Sequence, residues 1–207
     1  MKEYDIAIKK YVARIKDDLT LLETVKLNPI YKWEINWKDL STVTEITSRN
    51  RNWSSIPIFK MLLQQRDVPA IYYFSVESKH SKEVFEAFVK CKKDSSIIRL
   101  SKGVKADGFY NISHVPKIFK NSACIYVGSK KRDLHGRLIE HLGLVQSGRI
   151  GSLYLSQILK EVPVKPTIAF NYILLDKKYI SITEHIESIV QDHLKPFIGK
   201  RALPVQK

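Results

Sequence analysis

Seven consecutive residues after Pro69, Ala70-Ile71-Tyr72-Tyr73-Phe74-Ser75-Val76, are almost all β-branched, aromatic or small. A run this short and this apolar reads as a largely buried β-strand. A second such run, Ala123-Cys124-Ile125-Tyr126-Val127, is closed by Gly128, and residues from Thr167 to Leu175 alternate enough to be a third strand. Helical spacing fills the gaps between them. Ser81 offers an N-cap to a helix carrying Val84, Phe85, Phe88 and Val89. A basic turn, Lys130-Lys131-Arg132, leads into a helix with Leu134, Leu138, Ile139 and Leu142 on its apolar side and Gly143 as its C-terminal cap. Ser152 to Leu159 reads as a short helix, and a last helix runs from Thr183 to Lys195 before Pro196 stops it. Residues 94–121 read as basic and loop-rich, with a short strand candidate at Ile97–Leu100. The expected fold is α+β: a small central sheet of about three strands, mixed or antiparallel, flanked by helices.

The amino-terminal segment reads differently. Ile8, Tyr11, Val12, Ile15, Leu19 and Leu22 step by three and four, which lays them on one face of a helix. Asn28-Pro29 supplies a stop, and packing of that face on the body is expected. Residues 29–66 hold Trp33, Trp37 and Trp53, with Arg49 and Arg51 close before the last. Two readings stay open there: the tryptophans pin an irregular segment to the core, or arginine and aromatic rings together contact a phosphate backbone and bases. The expected organisation is an extension over 1–67, a core over 68–200 with an insertion at about 78–121, and a tail over 201–207.

Charge narrows the partner. The 207 residues carry 35 Lys+Arg against 21 Asp+Glu, a net +14, and residues 28–160 alone hold 22 basic against 11 acidic side chains. A folded chain with this excess suits a polyanion, either nucleic acid or an anionic membrane surface. No apolar run approaches the roughly 18 residues of a membrane span, and MKEYDIAIKK has no secretory signal pattern. A cytoplasmic protein with no membrane partner is expected. Cys91 and Cys124 are too few for a disulfide framework or a four-cysteine zinc site, and read as core fillers.

Four pieces from Ala70 onward then fall into order. Ala70-Ile71-Tyr72 lies in the first strand and Tyr126-Val127-Gly128 ends the second. The next helix carries Arg137 and His141 four apart, hence on one face, and Glu187 lies on the final helix with Glu184 a rival one turn earlier. This order resembles the GIY-YIG nuclease superfamily over about residues 68–200, most specifically in YVGSKKRDLHGRLIEH. Among its subgroups the chain looks most like compact restriction-type members.

The resemblance implies a Mg²⁺- or Mn²⁺-dependent endonuclease acting on double-stranded DNA. It implies water activation for Tyr72, a phosphate clamp for Arg137, metal ligation for Glu187, and hydrogen bonding by Tyr126 and His141 to complete the site. Each residue type suits its task. A guanidinium presents a planar fork to phosphate oxygens, and one carboxylate with waters is an ordinary Mg²⁺ site. Lys130, Lys131 and Arg132, with Arg149 in the Gly148–Gly151 turn, are expected to line the DNA track. Three departures stand out: Ala70 replaces the first glycine, 54 residues separate Tyr72 from Tyr126, and Gly199 holds the position of the family's asparagine. A palindromic target would favour a homodimer. The alternatives are a non-catalytic nucleic-acid-binding module on a decayed site, and a repair or mobile-element nicking nuclease. A weaker third reading is an anionic-lipid binder through the first helix.

Overall fold

The computed structural model describes residues 2–26, 29–36, 56–102, 121–144 and 152–199. Among these the chain is α+β. Helix α1 (Lys2–Glu23) is followed by strand β1 (Tyr31–Ile35), helix α2 (Pro57–Gln64) and strand β2 (Ala70–Val76). Helix α3 (Ser81–Lys102) leads to β3 (Cys124–Lys130), α4 (Leu134–Leu142), α5 (Leu155–Glu161), β4 (Ile168–Leu174) and α6 (Thr183–Leu194). One sheet has the order β1-β4-β2-β3, and every neighbouring pair is antiparallel.

The sheet therefore has four strands where three are expected. The extra one, β1, comes from the amino-terminal segment and pairs Tyr31 with Tyr172 through to Ile35 with Ile168. Tyr31, Trp33 and Ile35 alternate with Lys32 and Glu34, the pattern of a half-buried strand that sequence reading passes over; the pairing to β4 gives it a place. Trp33 sets its ring edge-on against Phe59 of α2 at 6.1 Å, which agrees with a tryptophan pinning this segment to the core. Trp37, Trp53, Arg49, Arg51 and Arg149 lie outside the described residues.

Residues 97–100, a strand candidate by composition, belong instead to α3, which runs on to Lys102. Helix extension costs little once a helix is formed, and Lys92, Lys93, Arg99 and Leu100 are good helix formers with no glycine before Gly103. Ser81 does open α3, yet its hydroxyl donates to the Ser78 carbonyl. Three boundaries differ from expectation: α1 ends at Glu23, ahead of the Asn28-Pro29 stop, β3 runs past Gly128 to Lys130, and α5 covers Leu155–Glu161 where Ser152–Leu159 is expected. Two others follow their sequence signals. Gly143 closes α4 with φ 76°, donating its N–H to the carbonyls of Ile139 and Glu140. Lys195 ends α6 in a left-handed conformation just before Pro196.

Both faces of the sheet are covered. Tyr72, Phe74, Phe170 and Tyr172 face a core shared with Phe59, Phe88, Leu138, Leu142 and Leu159 of the surrounding helices. On the other face Ile71 and Ile173 meet Leu175, Tyr179, Ile182 and Ile186, against which Leu21, Leu22 and Val25 at the end of α1 pack. Cys124 is buried and Cys91 half-buried, and neither is in a disulfide. Among the described residues no helix is long and apolar enough to cross a membrane.

Candidate active site

The register of β2 on β3 puts Tyr72 opposite Gly128, with Phe74 opposite Tyr126. Glycine is required at 128 by close approach. A Cβ there would sit 2.5 Å from Tyr72 Oη and 2.7 Å from Tyr126 Cε1. The Tyr72 ring is thus laid across the neighbouring strand, only 1 % exposed. The helix after β3 then delivers its side chains to the same spot. Asp133 adopts φ 62° and accepts the Gly136 N–H to cap α4, which aims Arg137 and His141 back at the sheet.

Tyr72 Oη is the hub. It accepts Arg137 Nε–H at 3.2 Å and lies 3.0 Å from His141 Nε2. The tautomer of that histidine follows from its other nitrogen. The Leu153 backbone N–H can only donate, and it donates to His141 Nδ1 at 3.2 Å. His141 therefore carries its proton on Nε2 and donates to Tyr72. Burial, with Arg137 and Lys130 adding to it, pushes the His141 pKa well below the usual imidazole range. Burial likewise raises Tyr72 well above the usual phenol value, the neighbouring Tyr126 adds to this, and Arg137 opposes it. At neutral pH both groups are uncharged, and two donors already point at the Tyr72 oxygen.

The buried imidazole gives the fold a pH dependence. An unfolded histidine takes up its proton near pH ~6.5, whereas His141 in the folded chain resists it. Stability from this residue is complete above that value and is lost as pH falls below it. The melting temperature of the wild type is expected to fall between pH 7 and pH 5, measured by circular dichroism. His141→Gln, which keeps a donor for Tyr72, is expected to start lower and to fall less over the same interval. Parallel curves would refute a buried neutral His141.

Arg137 is anchored on its far side. Its Nη1 donates to Glu140 Oε2 at 2.8 Å and to Ser152 Oγ at 3.4 Å, with the arginine and glutamate side chains only 10 % and 14 % exposed. Burial works against its charge, but the phenol groups of Tyr72 and Tyr126 and the hydrogen bonds to Glu140 and Tyr72 outweigh it and hold the guanidinium charged. Tyr126 is half-buried, its ring 4.9 Å from that of His141 and 6.1 Å from that of Tyr72.

Glu187 reaches the site from α6, along the edge strand β3. Ser129 Oγ donates to its Oε2 in a short contact, and Gln191 Nε2 donates to its Oε1 at 2.7 Å and to the Val127 carbonyl at 3.4 Å. Burial raises its pKa, the Ser129 hydroxyl opposes this, and the charge of Glu184 adds to it. Its charge acts on Tyr72, and that of Arg137 acts on it. The rival Glu184 is exposed and paired to Lys131 at 2.9 Å. Arg132 is exposed beside it, while Lys130 is half-buried and near enough to act on His141.

Tyr72, Tyr126, Arg137, His141 and Glu187 are thus gathered at one end of β2 and β3. Sequence reading passes over Glu140, Ser152, Ser129 and Gln191. Two of these had a signal: Glu140 stands three after Arg137 and Gln191 four after Glu187, each on the same helix face. Arg66 is a further omission, held beside the basic turn by Asp133 at 3.5 Å. Gly199 has φ 151°, a backbone that favours glycine, with nothing within 4 Å of a Cβ there. Comparison of the chain with protein-family models, curated proteins and solved structures finds no match.

Proposed function

We propose that this chain is a divalent-metal-dependent endonuclease of the GIY-YIG kind, hydrolysing double-stranded DNA, with restriction-type cleavage as its role. The observation that carries the proposal is the convergence of Tyr72, His141 and Arg137 in one hydrogen-bonded cluster, with the Tyr126 ring against it, beside a half-buried Glu187. A cluster serving packing alone would not need a charged guanidinium held by Glu140 and Ser152 with its Nε on a buried phenol.

The donor set suits a hard cation. Among the described residues no three His, Cys, Asp or Glu side chains group to hold a metal, so Glu187 would be the one protein ligand, with waters and phosphate oxygens as the rest. Its carboxylate, penalised by burial and by Glu184, gains from a nearby positive charge. The bound cation would supply Lewis-acid charge at the scissile phosphate and a more acidic water.

The chain's own groups do the following. Arg137 directs its guanidinium toward the phosphate and neutralises charge gathering there. Tyr72, kept protonated by burial and fixed by two donors, has its own O–H left to orient the attacking water or a phosphate oxygen. Deprotonating Tyr72 so that it accepts the water's proton would require extra positive charge in the site. His141 holds the phenol through Nε2–H, and Tyr126 closes the half-exposed side.

Supercoiled plasmid incubated with the protein and Mg²⁺ is expected to be nicked or linearised. Arg137→Lys, which loses the planar fork, is expected to slow cleavage on the order of 100-fold. No cleavage by the wild type, or equal cleavage by the variant, overturns the proposal; salt-sensitive binding without cleavage would assign a binding module instead. Lys130, Lys131 and Arg132 lead away from this site, and the exposed Lys131–Glu184 pair is the kind that exchanges readily for a phosphate. Replacing all three by alanine is expected to weaken DNA binding alike for all sequences. The slope of log K against log salt should become shallower by about 2–3. Fluorescence anisotropy across a salt series checks this, and an unchanged slope would remove these residues from the DNA track.

A further inference from the structure

The apolar face of α1 is expected to pack on the body, but only its carboxyl-terminal end does so. Leu21, Leu22 and Val25 join the second core cluster. Ser181 Oγ donates to Asp18 at 3.0 Å, and Tyr179 Oη donates to the Thr24 carbonyl at 2.9 Å. The stripe before it stays in solvent, from 41 % exposed at Ile15 to 66 % at Tyr11, with Ile8, Val12 and Leu19 between these values. Five apolar side chains in one row, on a helix face that none of the described residues covers, mark an association surface.

The charges beside the stripe select the occupant. At 100° per residue, Arg14 and Asp18 border it on one side, and Lys9, Lys16 and Glu23 border it on the other. When two copies pair antiparallel, like flanks meet. A two-fold axis close to Ile15 sets Ile15 against itself and places Tyr11 and Val12 against Leu19. The same axis brings Lys9 to Glu23 of the second copy and Arg14 to Asp18, whose carboxylate also accepts from Ser181; Lys16 alone meets its own copy, so four cross-pairs attract and one repels. A parallel pair instead sets Asp18 against Glu23.

We propose that α1 is a dimerisation helix, pairing antiparallel with α1 of a second copy of this chain through Ile8, Tyr11, Val12, Ile15 and Leu19. The result is an isologous interface of the commonest symmetry. Neither the exposed stripe nor its charge order depends on the nuclease reading.

Sedimentation velocity on the full chain tests it. The wild type is expected to sediment as a dimer at micromolar concentration. Ile8→Asp/Ile15→Asp, at exposed positions outside both core clusters, is expected to raise the dimer dissociation constant by at least ~100-fold with an unchanged helical circular-dichroism signal. Lys9→Glu is expected to weaken the dimer, and Lys9→Glu with Glu23→Lys to restore it. A monomeric wild type overturns the proposal, and co-sedimentation of that monomer with anionic phospholipid vesicles would assign the stripe to a membrane surface. A single swap without effect, or a double swap that fails to restore pairing, overturns the antiparallel arrangement.

Discussion

Glu187→Gln is expected to abolish plasmid cleavage while raising the melting temperature of the metal-free protein. The two effects have one cause. Burial and the neighbouring Glu184 raise the Glu187 pKa, so its ionised form is less favourable in the folded chain than in the unfolded one. A carboxylate with a raised folded value costs stability at neutral pH, and that cost disappears as pH falls through the folded value toward ~4.5. Glutamine removes the charge and keeps the shape. Its carbonyl can accept from Gln191 Nε2 and its amide can donate to Ser129 Oγ, replacing the two contacts of the carboxylate. A gain of about 1–3 °C at pH 7.5 is expected, shrinking toward pH 4.5, since ~1 kcal/mol moves a chain of this size by about 2–4 °C.

Cleavage should fall on the order of 100-fold or more, because a neutral amide is a poor ligand for a hard cation. Mg²⁺ should raise the melting temperature of the wild type by mass action and leave the variant unchanged. Wild-type cleavage by Glu187→Gln would remove Glu187 from the chemistry. A fall of several degrees would show instead that its charge stabilises the fold.

Much of this site was legible before the fold because its residue types and spacings are chemically specific. A buried strand carrying Tyr72, a strand carrying Tyr126-Val127-Gly128 and a helix with Arg137 and His141 four apart are local patterns. Their meeting depends only on two strands pairing side by side. What was not legible is what pairing across long separations creates. The alternation of Tyr31-Lys32-Trp33-Glu34-Ile35 marks a strand, but nothing in five residues says that the edge of β4 receives it. Residues 97–100 carry β-branched side chains, but the helix already running through them decides their conformation. The tautomer of His141 depends on the Leu153 N–H twelve residues away, which no spacing rule reveals. The face of α1 was legible as a stripe, whereas its exposure was not, because periodicity says which residues share a face and nothing about what meets it.

Gly128→Ala should be the most damaging single-methyl change in the core of the site. The added Cβ would meet Tyr72 Oη at 2.5 Å, and Tyr126 Cε1 and Tyr72 Cζ at 2.7 Å each. Real contacts at those distances do not occur, so a ring or a strand must move. Tyr72 is 1 % exposed, ringed by Phe74, Tyr126, His141 and Phe170, and held through Oη by Arg137 and His141, so it has nowhere to retreat. Overpacking of this kind costs about 1–3 kcal/mol, a fall of about 2–12 °C in melting temperature. A displacement on the order of 1 Å at Tyr72 would also reduce cleavage about 100-fold.

The companion variant Tyr72→Phe removes the atom in closest conflict. Alone it destabilises, since it leaves the N–H groups of Arg137 and His141 pointing at a missing acceptor. Combined with Gly128→Ala it should cost less than the sum of the two single changes, because the 2.5 Å conflict is gone while only the 2.7 Å contacts remain. Cleavage should stay lost in the double variant, since the hydroxyl itself is absent. Additive losses in chemical denaturation would mean that Tyr72 Oη does not lie over residue 128. The register that aligns the two tyrosine motifs would then be wrong, and with it the placement of Tyr72 at the centre of the site.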